Sequence, residues 1–209
     1  TQCQVYEPSE IKNKKVQKAI EATSNFILTY ENKPINAFYH GSNGGISATA
    51  SESWQMQDYS YLNSKIDGSQ SFNKNFKLPI DRESELNNFL NFDTEQFYGG
   101  KHYLFRWNKK ISSLEIKEKL INNKLLGINE NVFDLNAIER GSSGRVTKLE
   151  IQTNKDNKSI VLVKDDIRRV LNFIPSNLFT IDKLSDDLWL FRGGGFGHGV
   201  GLSQSGAIE

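Results

Sequence analysis

The run GGGFGHGVGLSQSGA at positions 193–207 constrains this chain more than any other segment. Glycine gives up more conformational entropy on folding than any other residue, so such a density needs compensation. A phosphate cradle, a backbone packed against a ligand or partner, and a flexible tail would each explain it. The phosphate readings fail on spacing. Gly195 and Gly197 would need a third glycine at 200, which is Val200, and no lysine is placed for a Walker loop. Strand-like LWLF at 188–191 runs directly into the glycines, and VGL at 200–202 sets apolar residues among them. Both features favour a loop packed into the domain, its backbone close to something and His198, Ser203 and Gln204 on display.

The 209 residues suffice for one sizeable core, so a single domain over 1–209 is expected. With 26 basic and 25 acidic side chains the charge nearly cancels, which gives no argument for nucleic acid or an anionic membrane. The single cysteine, Cys3, excludes an internal disulfide framework and any multi-cysteine zinc site. No stretch approaches the length of an apolar membrane span, and the first residues lack an export signal's basic and apolar regions. No metal or other cofactor is expected.

Apolar spacing predicts a helix over 8–23 with Ser9 as its cap. A hairpin follows from NFILTYE and KPINAFYH, turning near Asn32, and leads into the polar glycine loop GSNGG at 41–45. The middle is more helical. DRESELNNFLNF is one helix and SSLEIKEKLINN another, where Ser112 and Glu115 have capping-box spacing. Strands return with VFDLNAIER, a GSSG turn and RVTKLEIQT, then NKDN and SIVLVK. DDIRRVLNF is a short helix before the last strand, LWLFRGG. The expected class is α+β, with β-hairpins at both ends and a more helical middle.

GFGHGVGLSQSGA resembles the signature of the sporulation stage II protein D (SpoIID/LytB) family, whose enzymes cleave peptidoglycan glycan strands. TQCQVY, AFYHGSNGGISATASESW, Arg106–Trp107 ahead of a helix, ERGSSGRVTKLEI, DDIRRVL and IPSNLF fall in the family's order. The likeness spans Thr1 to Ala207 and is weakest over about 60–100. Two departures stand out. The family's catalytic glutamate lies before the Gln-Val-Tyr segment, and its last motif leads into a helix. The resemblance therefore implies a domain without its N-terminal catalytic segment and its C-terminal helix. The cysteines that bind zinc after the loop histidine in some members are also missing after His40.

The implied activity is that of a lytic transglycosylase, cutting the MurNAc–GlcNAc bond to a 1,6-anhydro product. One carboxylic acid suffices: it protonates the glycosidic oxygen, and its carboxylate then takes the proton of the sugar's own C6 hydroxyl. That acid needs a poorly hydrated pocket to hold its proton. His198 reads either as a site residue exposed by its flanking glycines or as a tie within its loop. Ser203 and Gln204 fit saccharide hydrogen bonding or loop closure equally. His40 is expected as a partner of His198 across one cleft, or as a surface histidine, with Ser42 and Asn43 beside it. Glu52 is the candidate acid within the chain, or a solvated glutamate. Arg106 and Trp107 make a stacking pair at the cleft, or belong to the core. Glu139 and Arg140 read as a surface ion pair. The implied partners are peptidoglycan glycan strands and, in a rival non-catalytic reading, a cell-wall amidase that the domain enhances. Both place the protein outside the cytoplasm, in the envelope. Nucleic acid and membrane contact are not expected.

Overall fold

The computed structural model describes residues 14–154 and 159–208. Ser9, Cys3 and residues 155–157 of the NKDN turn lie outside them. The chain forms two compact units that meet in sequence at Ala37 and Phe38. The first contains α1 (Lys14–Thr23) and a hairpin of β1 (Thr29–Tyr30) and β2 (Lys33–Pro34). Its turn is Glu31–Asn32, both at positive φ (49° and 62°), as the tight two-residue hairpin connection requires.

From Phe38 onward the elements are β3 (Tyr39–His40), α2 (Ala50–Ser53), α3 (Gln70–Asn73), α4 (Glu83–Leu90), β4 (Trp107–Ser112) and α5 (Ser113–Asn122). There follow β5 (Val132–Arg140), β6 (Val146–Thr153), β7 (Ser159–Val163), α6 (Asp165–Leu171), β8 (Phe179–Ser185), β9 (Leu188–Gly193), β10 (Leu202–Ser203) and α7 (Gln204–Ile208). Strands β4, β9 and β8 form one antiparallel sheet with β9 central, and β5, β6 and β7 form another with β6 central. A third, minimal sheet joins β3 to β10 in parallel, pairing His40 with Ser203. Helices and small sheets follow one another along the chain, the α+β arrangement expected.

Local chemistry explains several boundaries. Helix α5 starts with a capping box: Glu115 N–H donates to Ser112 Oγ (3.3 Å) and Ser112 N–H to Glu115 Oε2 (2.8 Å). Strand β4 escapes the sequence reading, which passes straight from Arg106–Trp107 to a helix. Asn108, Lys109 and Lys110 are all exposed on this edge strand, so no inside–outside alternation marks it. Residues Gln204–Ile208, within the SQSGA motif and just after it, form the short helix α7.

Two apolar clusters carry the main unit. One fills the space between the sheets and helices α5 and α6, with Trp107, Ile116, Leu120, Leu149, Ile151, Phe179, Trp189 and Phe191. The other is rich in phenylalanine. Phe72, Phe76, Phe89, Phe97 and Phe105 meet mostly edge to face, with centroids 4.8 Å apart for Phe72 and Phe97. Such pairs contribute about 0.5–1.5 kcal/mol each beyond area burial. This cluster underlies the two glycine loops and gives them a rigid floor.

Candidate functional site

The loops at 41–45 and 193–206 are interlocked by main-chain hydrogen bonds. Ser42 and Phe196 exchange both N–H···O bonds (3.1 and 2.7 Å). Ala48 N–H donates to the Gly199 carbonyl (2.8 Å), Leu202 N–H to Phe38, and Ser205 N–H to Gly41. Side chains from the core fix the same loop, with Ser176 Oγ donating to the Gly194 carbonyl (2.6 Å) and Trp107 Nε1 to Gly195 (3.1 Å). The backbones approach so closely that only glycine fits at the crossing. A Cβ on Gly44 would stand 2.6 Å from the Gly194 carbonyl carbon, and one on Gly195 2.7 Å from the Ser42 carbonyl oxygen, with φ at +69° and +85°. The glycine run is therefore a packed crossing, and the tail reading is excluded.

This crossing brings His40 and His198 together, their ring centroids 5.5 Å apart and edge to face. Trp54 packs on the His198 ring at 4.6 Å. His198 Nδ1 accepts the Val200 N–H (3.1 Å), so in the neutral ring the proton sits on Nε2. His40 Nδ1 lies 3.1 Å from the Val200 carbonyl, which can only accept, so Nδ1 is the donor and Nε2 is bare. That Nε2 is buried and has no hydrogen-bond partner among the described residues. Burial, with the charges of His198 and Arg145, pushes His40 down to about 3. Burial, with Arg168 and Arg145 against Asp165 and the Tyr39 backbone, brings His198 to about 4. Both rings are neutral at any pH near 7. His198 is half-buried and keeps an exposed part, whereas His40 is 2% exposed and sits behind it.

A cleft of about 310 Å³ opens on the neighbouring side of the crossing. Asn43, Ser47, Lys65, Ile66 and Asp67 line one wall, and Gly201, Leu202, Ser203, Gly206 and Ala207 the other. Asn43 spans the wall: Oδ1 accepts the Gly45 N–H (2.8 Å) and Nδ2 donates to Asp67 Oδ2 (2.5 Å). Burial raises Asp67 above the ordinary carboxylate range despite that hydrogen bond. Asp67 was not among the sequence candidates. KIDGSQ carries no motif, and only the packing of residues 65–67 against the glycine loops gives the carboxyl its setting.

The other candidates divide. Asn43 and Ser203 face the cleft, while Ser42 is buried in the crossing, where Oγ accepts the Gly44 N–H. Gln204 is exposed at the start of α7. Glu52 is buried and saturated. Oε1 accepts from Ser142 Oγ (2.7 Å) and Ser143 N–H (2.9 Å), and Oε2 from Ser143 Oγ and Thr49 N–H. The GSSG turn wraps this carboxylate, which ties α2 to the β5–β6 hairpin. Arg106 lies under the crossing. It donates to the carbonyls of Leu90, Gly44, Phe105 and Phe89, and its guanidinium stacks 4.6 Å from the Phe105 ring centroid. Burial lowers it to about 10. Arg106 and Trp107 thus hold the loops from below. Glu139 pairs with Lys148 (2.7 Å) and Arg140 with Glu83 (3.2 Å), so the ion pair expected between neighbours in sequence does not form.

Among the described residues no group of three or more His, Cys, Asp or Glu side chains is arranged to hold a metal ion. No helix among them is long and apolar enough to cross a membrane. No curated protein is significantly similar to the chain. One family model does match, over residues 48–201, a span that includes Glu52, Asp67, Arg106 and His198 but not the His40 turn or Ser203. That model describes a domain of unknown function, DUF8618, and the chain belongs to this family.

Proposed function

We propose that this domain binds peptidoglycan glycan strands across the glycine crossing and belongs to a lytic transglycosylase acting outside the cytoplasm. The observation that carries the reading is the convergence of the 41–45 and 193–206 loops. It sets a neutral imidazole against a tryptophan face at the crossing, and lines the neighbouring cleft with an amide, hydroxyls and bare main chain. Uncharged hydrogen-bonding groups beside an aromatic face suit the hydroxyls and N-acetyl groups of an amino-sugar strand. The cleft volume falls at the lower end of small-ligand sites, which run from about 300 to 1,000 Å³.

The test is sedimentation of the protein with purified, peptide-free glycan strands, followed by mass spectrometry of the strands for 1,6-anhydro ends. Binding is the expected result, and anhydro product from this chain would place the acid within these residues. Binding without product, accompanied by a faster cell-wall amidase in a mixed reaction, would favour the non-catalytic module. Protein that stays in the supernatant overturns the reading.

A further inference from the structure

We propose that Asp67 is the proton-carrying carboxyl of the cleft and delivers its proton to the glycosidic oxygen of a bound strand. The inference rests on the glycan reading above, and adds to it a catalytic residue within this chain. Asp67 is the only carboxyl among the described residues that line the cleft, and Glu52, a buried acid nearby, has both oxygens filled by the GSSG turn.

The setting is built from both glycine motifs. Asn43 from SNGG donates to Oδ2, and a Cβ on Gly206 from SQSGA would stand 3.1 Å from that same oxygen. A glycine at 206 therefore keeps the carboxyl uncovered. The main chain of Asp67 is fixed on both sides, its N–H donating to Gly45 (2.8 Å) and its carbonyl accepting from Tyr98 (3.0 Å). Rigid backbone is what an acid needs to meet a particular oxygen. No cation lies within ion-pair distance of it among the described residues. Lys65 is the one other titratable group lining the cleft, and it is exposed; the residues contributed by the 43–47 loop, β10 and α7 are uncharged. Burial accordingly dominates, and it favours the protonated form.

A single carboxyl also decides between two chemistries. Glycoside hydrolysis requires a second carboxylate, about 5–9.5 Å away, as nucleophile or to activate water. Anhydro-ring formation does not. The Asp67 proton passes to the glycosidic oxygen as the C1–O bond breaks, and the bonding pair leaves with that oxygen. The carboxylate then accepts the proton of the C6 hydroxyl on the same sugar while O6 bonds to C1. The acid is regenerated, and the strand ends in a 1,6-anhydro ring with no water consumed.

Asp67→Asn keeps the shape and can still accept from Asn43, but carries no transferable proton. With the full chain and peptide-free strands, we expect this variant to sediment with the strands as the parent does, to melt no lower, and to form anhydro ends at least about 100-fold more slowly. The parent's rate should fall as pH rises past the Asp67 midpoint. Undiminished product from Asp67→Asn, or strands bound by the parent without any anhydro product, would overturn the assignment of Asp67 and leave glycan binding standing. Strands that the parent does not bind at all would overturn both.

Discussion

The main chain of one residue holds both imidazoles of the crossing: the Val200 N–H donates to His198 Nδ1 and the Val200 carbonyl accepts from His40 Nδ1, each at 3.1 Å. The Val200 N–H requires an unprotonated Nδ1 on His198, and burial depresses both rings against the Val200 carbonyl's opposite pull on His40, bringing His40 to about 3 and His198 to about 4. An unfolded chain binds protons at these residues near pH 6.5 and the folded chain does not, so stability is complete above that value and declines as pH falls. At pH 5 the deficit from His40 alone amounts to about 2 kcal/mol. Urea unfolding at pH 7.5 and pH 5 should show this loss, and His40→Asn, which retains a donor for Val200, should shrink it. Equal losses in the two proteins would show that His40 is not the titrating group.

The Glu52 carboxylate makes four hydrogen bonds, three to the GSSG turn and one to Thr49. The buried Arg145 charge, which Glu52 helps to hold ionised, sits close behind. Removing the carboxylate leaves donors and a cation without their anion. Glu52→Ala should therefore destabilise by about 3 kcal/mol or more in chemical denaturation. Glu52→Gln should recover part of that, because one oxygen remains to accept. An exposed, solvated glutamate would give a change within about 0.5 kcal/mol.

Gly195→Ala places a methyl group against the Ser42 carbonyl in a backbone conformation that L-residues rarely adopt, φ +85°. The crossing must open to accept it, at a cost of about 2 kcal/mol or more. Loosening should be local. The Phe196 and Ser42 amides, which bond to each other's carbonyls, should exchange hydrogen faster relative to the amides of central strand β6. Unchanged protection at these two amides would mean that the loops do not depend on their glycine contact.

The sequence shows elements better than it shows the site. Capping chemistry at Ser112, the GSSG turn and the apolar runs of β5, β6 and β9 are local signals, and each element lies where its residues indicate. Strand β4 is hidden because an edge strand with three consecutive exposed residues has no periodicity to read. Around the site, the meeting of His40 with His198 follows from glycine-rich segments on either side of the chain that each need something to pack against. Roles were harder to read than neighbours. Glu52 and Arg106 are charged residues beside motifs, and such residues read as chemistry until the carbonyls and hydroxyls that occupy them are seen. Asp67 is the reverse case, an unremarked acid between Ile66 and Gly68 whose setting comes entirely from tertiary burial.

Asn43 opposes the burial that raises Asp67, and its replacement by aspartate separates electrostatics from shape. The amide now supplies a donor to Asp67 Oδ2 and, through Oδ1, an acceptor for the Gly45 N–H. Asn43→Asp keeps the acceptor, deletes the donor and sets a second carboxyl against the first. Both changes disfavour the Asp67 anion, so the two groups should share one proton and titrate in two separated steps. Carbon-13 NMR of the side-chain carboxyls should place the upper step at least about one unit above the Asp67 midpoint of the parent protein. The sign of the stability change is opposite to that of the histidines. A carboxyl raised in the folded state binds its proton there preferentially, so the penalty is absent below the unfolded value near 3.9 and complete above the folded midpoint. The variant should accordingly be less stable than the parent at pH 7 and approach it as the solution is acidified. A variant whose upper midpoint matches the parent's would mean that the Asn43 amide does not govern the carboxyl, and the cleft would lose its means of tuning that proton.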